Sequence, residues 1–209
     1  MPELDLIIQG LSVNSDQGSL GFCGITLIQG SRNILVDVAQ PARRDLLLTA
    51  LRERGLSPED IHAVALTHAH WDHMLNIDLF PNATVYIHAL EREYARAPHP
   101  EDIATLRYTG LLLDQCKIEE VQEGQEIDDG VRVIHTPGHT RGSMTLVVQT
   151  AQGPVNVCGD ALPTALTALK RLPYLIAWDE DEARNSAAKI LDHSNTLYPG
   201  HDKPFRLHG

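Results

Sequence analysis

Three imidazoles and a carboxylate crowd into the run Thr67-His68-Ala69-His70-Trp71-Asp72-His73. Polar groups at this density cannot be buried together without partners, because each unpaired one costs about 2 kcal/mol or more. A divalent cation supplies the missing partner, since neutral imidazole nitrogens and carboxylate oxygens are donors that zinc, iron and manganese accept. In an extended segment His68 and His70 point the same way, and Asp72 and His73 can turn toward a neighbouring position. Three more places repeat the theme of an apolar run followed by a turn and a donor: His139 in His135-Thr136-Pro137-Gly138-His139, Asp160 in Gly159-Asp160, and His201 in Pro199-Gly200-His201. The candidate metal ligands are therefore His68, His70, Asp72, His73, His139, Asp160 and His201. They are too many for one four-coordinate ion and suit two ions about 3.5–4 Å apart, bridged by Asp160 and a hydroxide. The other histidines, His62, His88, His99, His135, His193 and His208, stand singly and read as surface or capping residues.

Something must carry those donors to one place. Each set follows a strand-like run: Ala63 to Leu66, Val131 to Ile134, Val155 to Cys158 and Thr196 to Tyr198. Strands of one core that end at the same edge gather their terminal side chains in one cleft. Further strand-like runs are Leu4 to Ile8, Ile25 to Ile28, Ile34 to Val38, Thr84 to Ile87 and Thr145 to Val148. Between them lie helix-like stretches at Arg43 to Arg54, Leu90 to Arg96, Leu162 to Leu169 and Glu180 to Leu191. In the first, Leu46, Leu47, Ala50 and Leu51 share a face, and Gly55 stands where a left-handed C-cap is expected. The pattern predicts a layered α/β fold with sheet inside and helices outside. The Gly- and Ser-containing loop Asn14 to Cys23 and the stretch Pro98 to Gln115 are expected to border the cleft, with Lys170 and Arg171 either anchoring an anion or solvated at the surface.

Composition sets the bounds. A chain of 209 residues with 43% hydrophobic residues is not disordered, can bury roughly 70% of its surface, and is expected to form one domain over residues 1–209. Lys+Arg 17 against Asp+Glu 28 gives a net charge of -11, which counts against a broad nucleic-acid footprint. No window approaches the ~20 apolar residues of a membrane-spanning helix. Met1-Pro2-Glu3-Leu4-Asp5 lacks the basic start and apolar run of a secretion signal. Cys23, Cys116 and Cys158 form no CxxC pair, so the expected setting is a reducing cytoplasm.

The motifs taken together resemble the metallo-β-lactamase superfamily. His68-x-His70-x-Asp72-His73, Pro137-Gly138-His139-Thr140-x-Gly142-Ser143, Gly159-Asp160 and Pro199-Gly200-His201 match its successive metal motifs in order. The resemblance implies an α/β fold of the four-layer αββα sandwich type. It also implies His68, His70 and His139 on one metal, Asp72, His73 and His201 on the second, and Asp160 between them. Asp37 resembles the family's aspartate before the first helix, where it would support the ligands or simply close a turn. Zinc β-lactamases of the main class carry a cysteine at a second-metal position and lack the Asp72-His73 pair, so antibiotic hydrolysis is not expected. Glyoxalase II shares the Thr-His-x-His-x-Asp-His run but continues into a helical glutathione-binding domain, for which we expect no counterpart after His201. Quorum-quenching lactonases share the ligands but place a tyrosine soon after the bridging aspartate, where this sequence reads Ala161-Leu162-Pro163 and leaves Tyr174 or Tyr198 as substitutes. The small stand-alone members of the superfamily are the nearest in kind.

The expected function is a dinuclear metal-dependent hydrolase in which a metal-bridging hydroxide attacks a small ester, thioester or lactone. Asp72 is the expected catalytic group, orienting the hydroxide and carrying its proton. Two divalent ions are the implied cofactors, zinc first, with iron or manganese as alternatives. The alternatives to this function are a metal-dependent phosphodiesterase or nuclease, against which the acidic balance argues, and a non-catalytic metal- or ligand-binding protein on a hydrolase fold. A small-molecule substrate is the expected partner, and a homo-oligomer is admitted.

Overall fold

Alternation along the strands decides the layering. In Ile34-Leu35-Val36 the first and third side chains join one buried cluster and the second joins another, as successive residues of a strand face opposite sides. The computed structural model describes residues 1–171 and 175–207, excluding the side chains of Asn14 and Ser19. In chain order its strands are β1 (Glu3–Ile8), β2 (Leu11–Ser15), β3 (Gly18–Phe22), β4 (Ile25–Gln29), β5 (Asn33–Val36), β6 (Ala63–Ala65), β7 (Thr84–His88), β8 (Lys117–Val121), β9 (Glu126–Asp128), β10 (Val131–His135), β11 (Met144–Thr150), β12 (Gly153–Gly159), β13 (Thr196–Pro199) and β14 (Phe205–Arg206). The helices are α1 (Arg44–Glu53), α2 (Trp71–Met74), α3 (Ala89–Tyr94), α4 (Thr109–Leu113), α5 (Ala165–Lys170) and α6 (Glu180–His193).

One sheet has the order β1-β4-β5-β6-β7-β8 and the other β14-β13-β12-β11-β10-β9, with β2 and β3 forming a separate hairpin. In the first sheet β5 to β8 pair in parallel, while β1, β4 and β5 pair antiparallel. Ile28, Ile34, Val36 and Ala63 of this sheet meet Val133, Leu146, Val148 and Val157 of the other in the middle layer. The opposite face of the first sheet, through Ile25, Leu27, Leu35 and Val64, packs on Leu47 and Leu51 of α1. The outer face of the second, through Ile134, Val147, Cys158 and Leu197, packs on Ala168 of α5 and Ala187 and Ile190 of α6. Helix, sheet, sheet and helix therefore stack in the αββα order. Each large apolar side chain taken from water contributes about 1.5–3 kcal/mol to that stack.

The topology also decides where strands end. β10 and β12 are both antiparallel to β11, and β13 is parallel to β12, so β10, β12 and β13 run the same way and finish at one edge. β6 delivers residues 67–73 to that edge from the other sheet, tied across by a hydrogen bond from the Met144 amide to the Thr67 carbonyl at 2.9 Å.

Some elements differ from expectation for clear reasons. Asn14 to Cys23 was expected as a loop, yet most of it pairs as β2 and β3. Leu11, Val13 and Leu20 of that hairpin are exposed, so no alternation of buried and exposed positions marked it as sheet. β8 hides in Lys117-Ile118-Glu119-Glu120-Val121 because a polar edge strand carries no apolar run. The first helix begins with a 3-10 turn at Pro41–Arg43, and Leu46 lies exposed on the border of the stripe that buries Leu47, Ala50 and Leu51. Gly55 caps it with a φ of +72°, as read from the sequence. Among the described residues no helix is long and apolar enough to cross a membrane.

Leu146 is fully buried in the middle layer. Leu146→Ala should lower the unfolding free energy by about 2–5 kcal/mol in a denaturant titration. Leu169→Ala, at an exposed position of α5, should change it by no more than about 0.5 kcal/mol.

Candidate metal centre

β5 ends at Val36, and the next residue, Asp37, adopts a left-handed backbone with φ +58°. Such a conformation costs a non-glycine residue about 1–3 kcal/mol and persists only where surroundings hold it. Here they do. The Asp37 amide donates to the Ala65 carbonyl at 3.0 Å, and its buried carboxylate accepts from the Thr67 amide at 2.8 Å, the Thr67 hydroxyl at 2.8 Å and His73 Nδ1 at 2.8 Å. One side chain thus fixes the turn after β6 and the first turn of α2. Asp37 supports the candidate ligands and is not a plain turn residue.

The histidines can be read nitrogen by nitrogen. Because the Thr67 hydroxyl gives its proton to Asp37, its oxygen accepts from His68 Nδ1 at 3.0 Å, which leaves His68 Nε2 as the lone pair. Asp37 takes the proton of His73 Nδ1 and leaves Nε2. Asp102 Oδ2 accepts from His70 Nε2 at 3.2 Å and leaves Nδ1. The Leu175 carbonyl accepts from His139 Nδ1 at 2.6 Å and leaves Nε2. His70 Nδ1 and His139 Nε2 then face each other at 3.0 Å, two lone pairs that repel unless a cation or proton stands near both. His68 Nε2, His73 Nε2 and Asp160 Oδ1 are buried with no hydrogen-bond partner. Asp160 Oδ2 lies 3.0 Å from His201 Nε2 and 3.5 Å from His139 Nε2, and Asp72 Oδ2 lies 3.6 Å from His201 Nε2.

All seven residues named from the sequence come together. Donor atoms of His68, His70 and His139, of His68, His73 and Asp160, and of Asp72, His73 and His201 lie within 4.8 Å of one another in each set. Orphaned buried nitrogens beside carboxylates fit a divalent cation, and second nitrogens held by acceptors are how metal-binding histidines are oriented. The charges agree. Burial, reinforced by the surrounding imidazoles, pushes His68 well below the ordinary histidine range. Burial and His70 lower His139 to about 3. Burial alone would lower His73 too, but the carboxylates of Asp72, Asp37 and Asp160 lift it to about 10. Asp160, which burial would raise, is held well below the usual carboxylate range by His201 and His73.

Sequence reasoning missed three groups. Asp102 was one, although Asp102-Ile103-Ala104-Thr105 has the form of an Asx turn, with Asp102 Oδ1 accepting from the amides of Ala104 at 2.8 Å and Thr105 at 3.0 Å. The Leu175 carbonyl gives no sequence signal at all. Glu91 looked like an ordinary polar position of α3. It is fully buried and accepts from the Ala69 amide at 2.8 Å, the Thr140 hydroxyl at 2.7 Å and the Gly142 amide at 2.9 Å, strapping the two ligand loops together. A side chain on Gly142 would run into the Glu91 backbone, so only glycine fits there.

His70, Asp72, His139, Asp160 and His201 line a cleft of about 300 Å³, walled by Gly21, Trp71, Ile103 and Ile176 among others. Gly21 brings the β2–β3 hairpin against Asp72 and His201, where a Cβ would touch both. Of the segments expected to border the cleft, Asn14 to Cys23 does so through Gly21 and Pro98 to Gln115 through residues 101–104. Lys170 and Arg171 are exposed and outside its walls, so they are not anchors here. Tyr198 lines a separate cavity of about 430 Å³ with Met1 and Thr150, and Tyr174 lies outside the described residues.

Comparison with known proteins agrees with this picture. A family model described as the metallo-beta-lactamase superfamily matches residues 18–201. The metallo-beta-lactamase domain-containing protein 1 of Xenopus laevis is 33% identical over 184 residues, covering 88% of this chain and 72% of that protein. An N-acyl homoserine lactonase of Bacillus sp is 26% identical over 163 residues, covering 76% of this chain and 62% of that enzyme. The crystal structure of a metallo-beta-lactamase-type protein from Thermotoga maritima superposes with a TM-score of 0.79 at 25% identity, covering 99% of each chain.

Asp102→Ala leaves His70 Nε2 without its acceptor. It should weaken zinc binding about 10–100-fold in competition with a chromophoric chelator. An unaltered affinity would remove Asp102 from the support of His70.

Proposed function

The chain belongs to the metallo-beta-lactamase superfamily and is a metal-dependent hydrolase of it, and from that premise we propose that it hydrolyses a small ester, thioester or lactone at two divalent metal ions. In this reading His68, His70 and His139 would hold one ion and Asp72, His73 and His201 the other, with Asp160 shared by the two sets. The observation that carries it is the set of buried donor atoms without a hydrogen-bond partner, His68 Nε2, His73 Nε2 and Asp160 Oδ1, beside a cleft that His70, Asp72, His139, Asp160 and His201 line. The lactonase relative supports a lactone or ester as substrate. Zinc suits the mixed imidazole and carboxylate donors best, with iron and manganese next. When bound, such ions lower the pKa of a water toward 7 and polarise the oxygen of a carbonyl.

The chain's own groups do the rest. Asp72 lies on the cleft wall with Oδ2 3.8 Å from His73 Nε2 and 3.6 Å from His201 Nε2, where it can orient the attacking water and pass its proton to the leaving group. Asp37 and Thr67 hold His73 and His68 in one ring orientation, so no reorganisation is needed at the moment of reaction. Trp71 and Ile176 present apolar surface in the cleft wall. Phosphodiester chemistry is less well served, since the described walls hold no lysine or arginine to meet a second anionic oxygen.

A panel of lactones, thioesters, simple esters and bis-aryl phosphodiesters, run on protein of measured metal content, tests the proposal. Turnover of the carbonyl substrates is expected; none at full metal loading would sink the hydrolytic reading, and turnover of the phosphodiester alone would replace it. His70→Ala should lower bound metal well below two ions per chain by elemental analysis. Asp72→Asn should lower kcat by about 10²–10⁴-fold if it moves the proton.

A further inference from the structure

Two short segments form parts of the cleft wall, and each is tied twice at or beside a candidate ligand. In the first, Asp102 accepts from His70 Nε2 at 3.2 Å while the Ala104 carbonyl accepts from the Trp71 amide at 3.1 Å. Asp102 is further fixed by the Tyr94 hydroxyl at 2.9 Å and the Thr105 hydroxyl at 2.7 Å. In the second, the Leu175 carbonyl accepts from His139 Nδ1 at 2.6 Å and the Ala177 amide donates to the His139 carbonyl at 2.9 Å. Leu175 adopts a left-handed backbone, φ +58°, to aim that carbonyl.

Between its anchors each segment holds an aliphatic side chain out at the mouth: Ile103 is 90% exposed and Leu175 is 66% exposed, yet both line the cleft. A branched side chain left in water on a backbone pinned from two sides is not there to fill the core. No lysine or arginine lies among the described wall residues, and the nearby Glu101 is acidic, so an anionic substituent finds no partner there. We propose that Ile103 and Leu175 are the specificity-determining pair of this site, gripping an uncharged apolar substituent of the substrate, so that the substrate is an ester, thioester or lactone bearing an alkyl or acyl chain. The inference rests on the hydrolase reading for the reaction and adds the class of substrate to it. Because the anchors of both side chains are the groups that orient His70 and His139, the substituent is held in a fixed relation to the donor cluster.

The test separates binding from turnover. Tryptophan fluorescence, with Trp71 in the wall, follows titration of the zinc-loaded protein with acetate, butanoate, hexanoate and decanoate. Each methylene taken fully from water is worth about fourfold in binding, so hexanoate should bind at least about tenfold tighter than acetate if two of its extra methylenes lodge between the walls. Ile103→Ser and Leu175→Ser should each cut that ratio to about threefold or less, with bound zinc unchanged. Leu169→Ser, at an exposed position of α5, should keep the wild-type ratio. The same chain lengths offered as p-nitrophenyl esters give the kinetic arm, in which the preference should fall in KM and vanish in the same variants. A wild-type ratio near one, or one that survives in both variants, overturns the proposal. If the carboxylate ratio behaves as expected while no ester is cleaved, the apolar grip stands and the reaction class falls.

Discussion

A single carboxylate, Asp37, orients two candidate ligands from one strained backbone position, and much of the site's geometry follows from it. It settles the Thr67 hydroxyl, which settles the tautomer of His68, and it holds His73 directly. The same residue joins the end of β5 to the turn after β6, so the parallel pairing of those strands also sets the spacing of the donors. Strain at Asp37 is tolerable because three donors and a backbone bond share its hold.

A wider rule operates across the cluster. Each of His68, His70, His73 and His139 has one nitrogen occupied by an acceptor outside the cluster, and the acceptors are of three kinds: a hydroxyl, two carboxylates and a backbone carbonyl. Imidazoles so constrained cannot relieve their lone-pair crowding by flipping. The crowding is therefore built in, and a cation resolves it at less cost than unfolding would. Glu91 plays the corresponding part for the backbone, where its burial raises its pKa although three hydrogen bonds oppose the rise.

What could be read from the sequence divides along physical lines. That these seven residues meet in one place was legible because their types suit a metal and His68, His70, Asp72 and His73 stand in one short run. A layered α/β fold was legible because runs such as Ile34, Leu35 and Val36 are apolar and bounded by polar residues, whereas the four-layer order was implied only by the resemblance of the metal motifs, and the structure shows which sheet face each side chain covers. The hairpin at residues 11–22 escaped because its apolar residues are exposed and alternation has no burial to follow. Asp102 and Glu91 escaped for another reason. A lone carboxylate on a loop or helix is by default a solvated charge, and only tertiary packing turns it into a buried acceptor. Leu175 acts through its carbonyl, which every residue possesses, so no residue type could have announced it.

The donor set is drawn from both sheets and from positions as far apart as His68 and His201. In an unfolded chain only the run from His68 to His73 would offer a metal more than a single foothold, and the remaining donors arrive when β10, β12 and β13 dock beside β6. On the proposed function, metal affinity would be a property of the assembled sandwich, and mass action would make it a stabilising term that grows with the free metal concentration. The Asp37 to Glu91 scaffold of hydrogen bonds thus connects metal supply to the lifetime of the fold: a metal-starved cell would hold this protein closer to its unfolding threshold, and its abundance would report on metal availability as well as on synthesis.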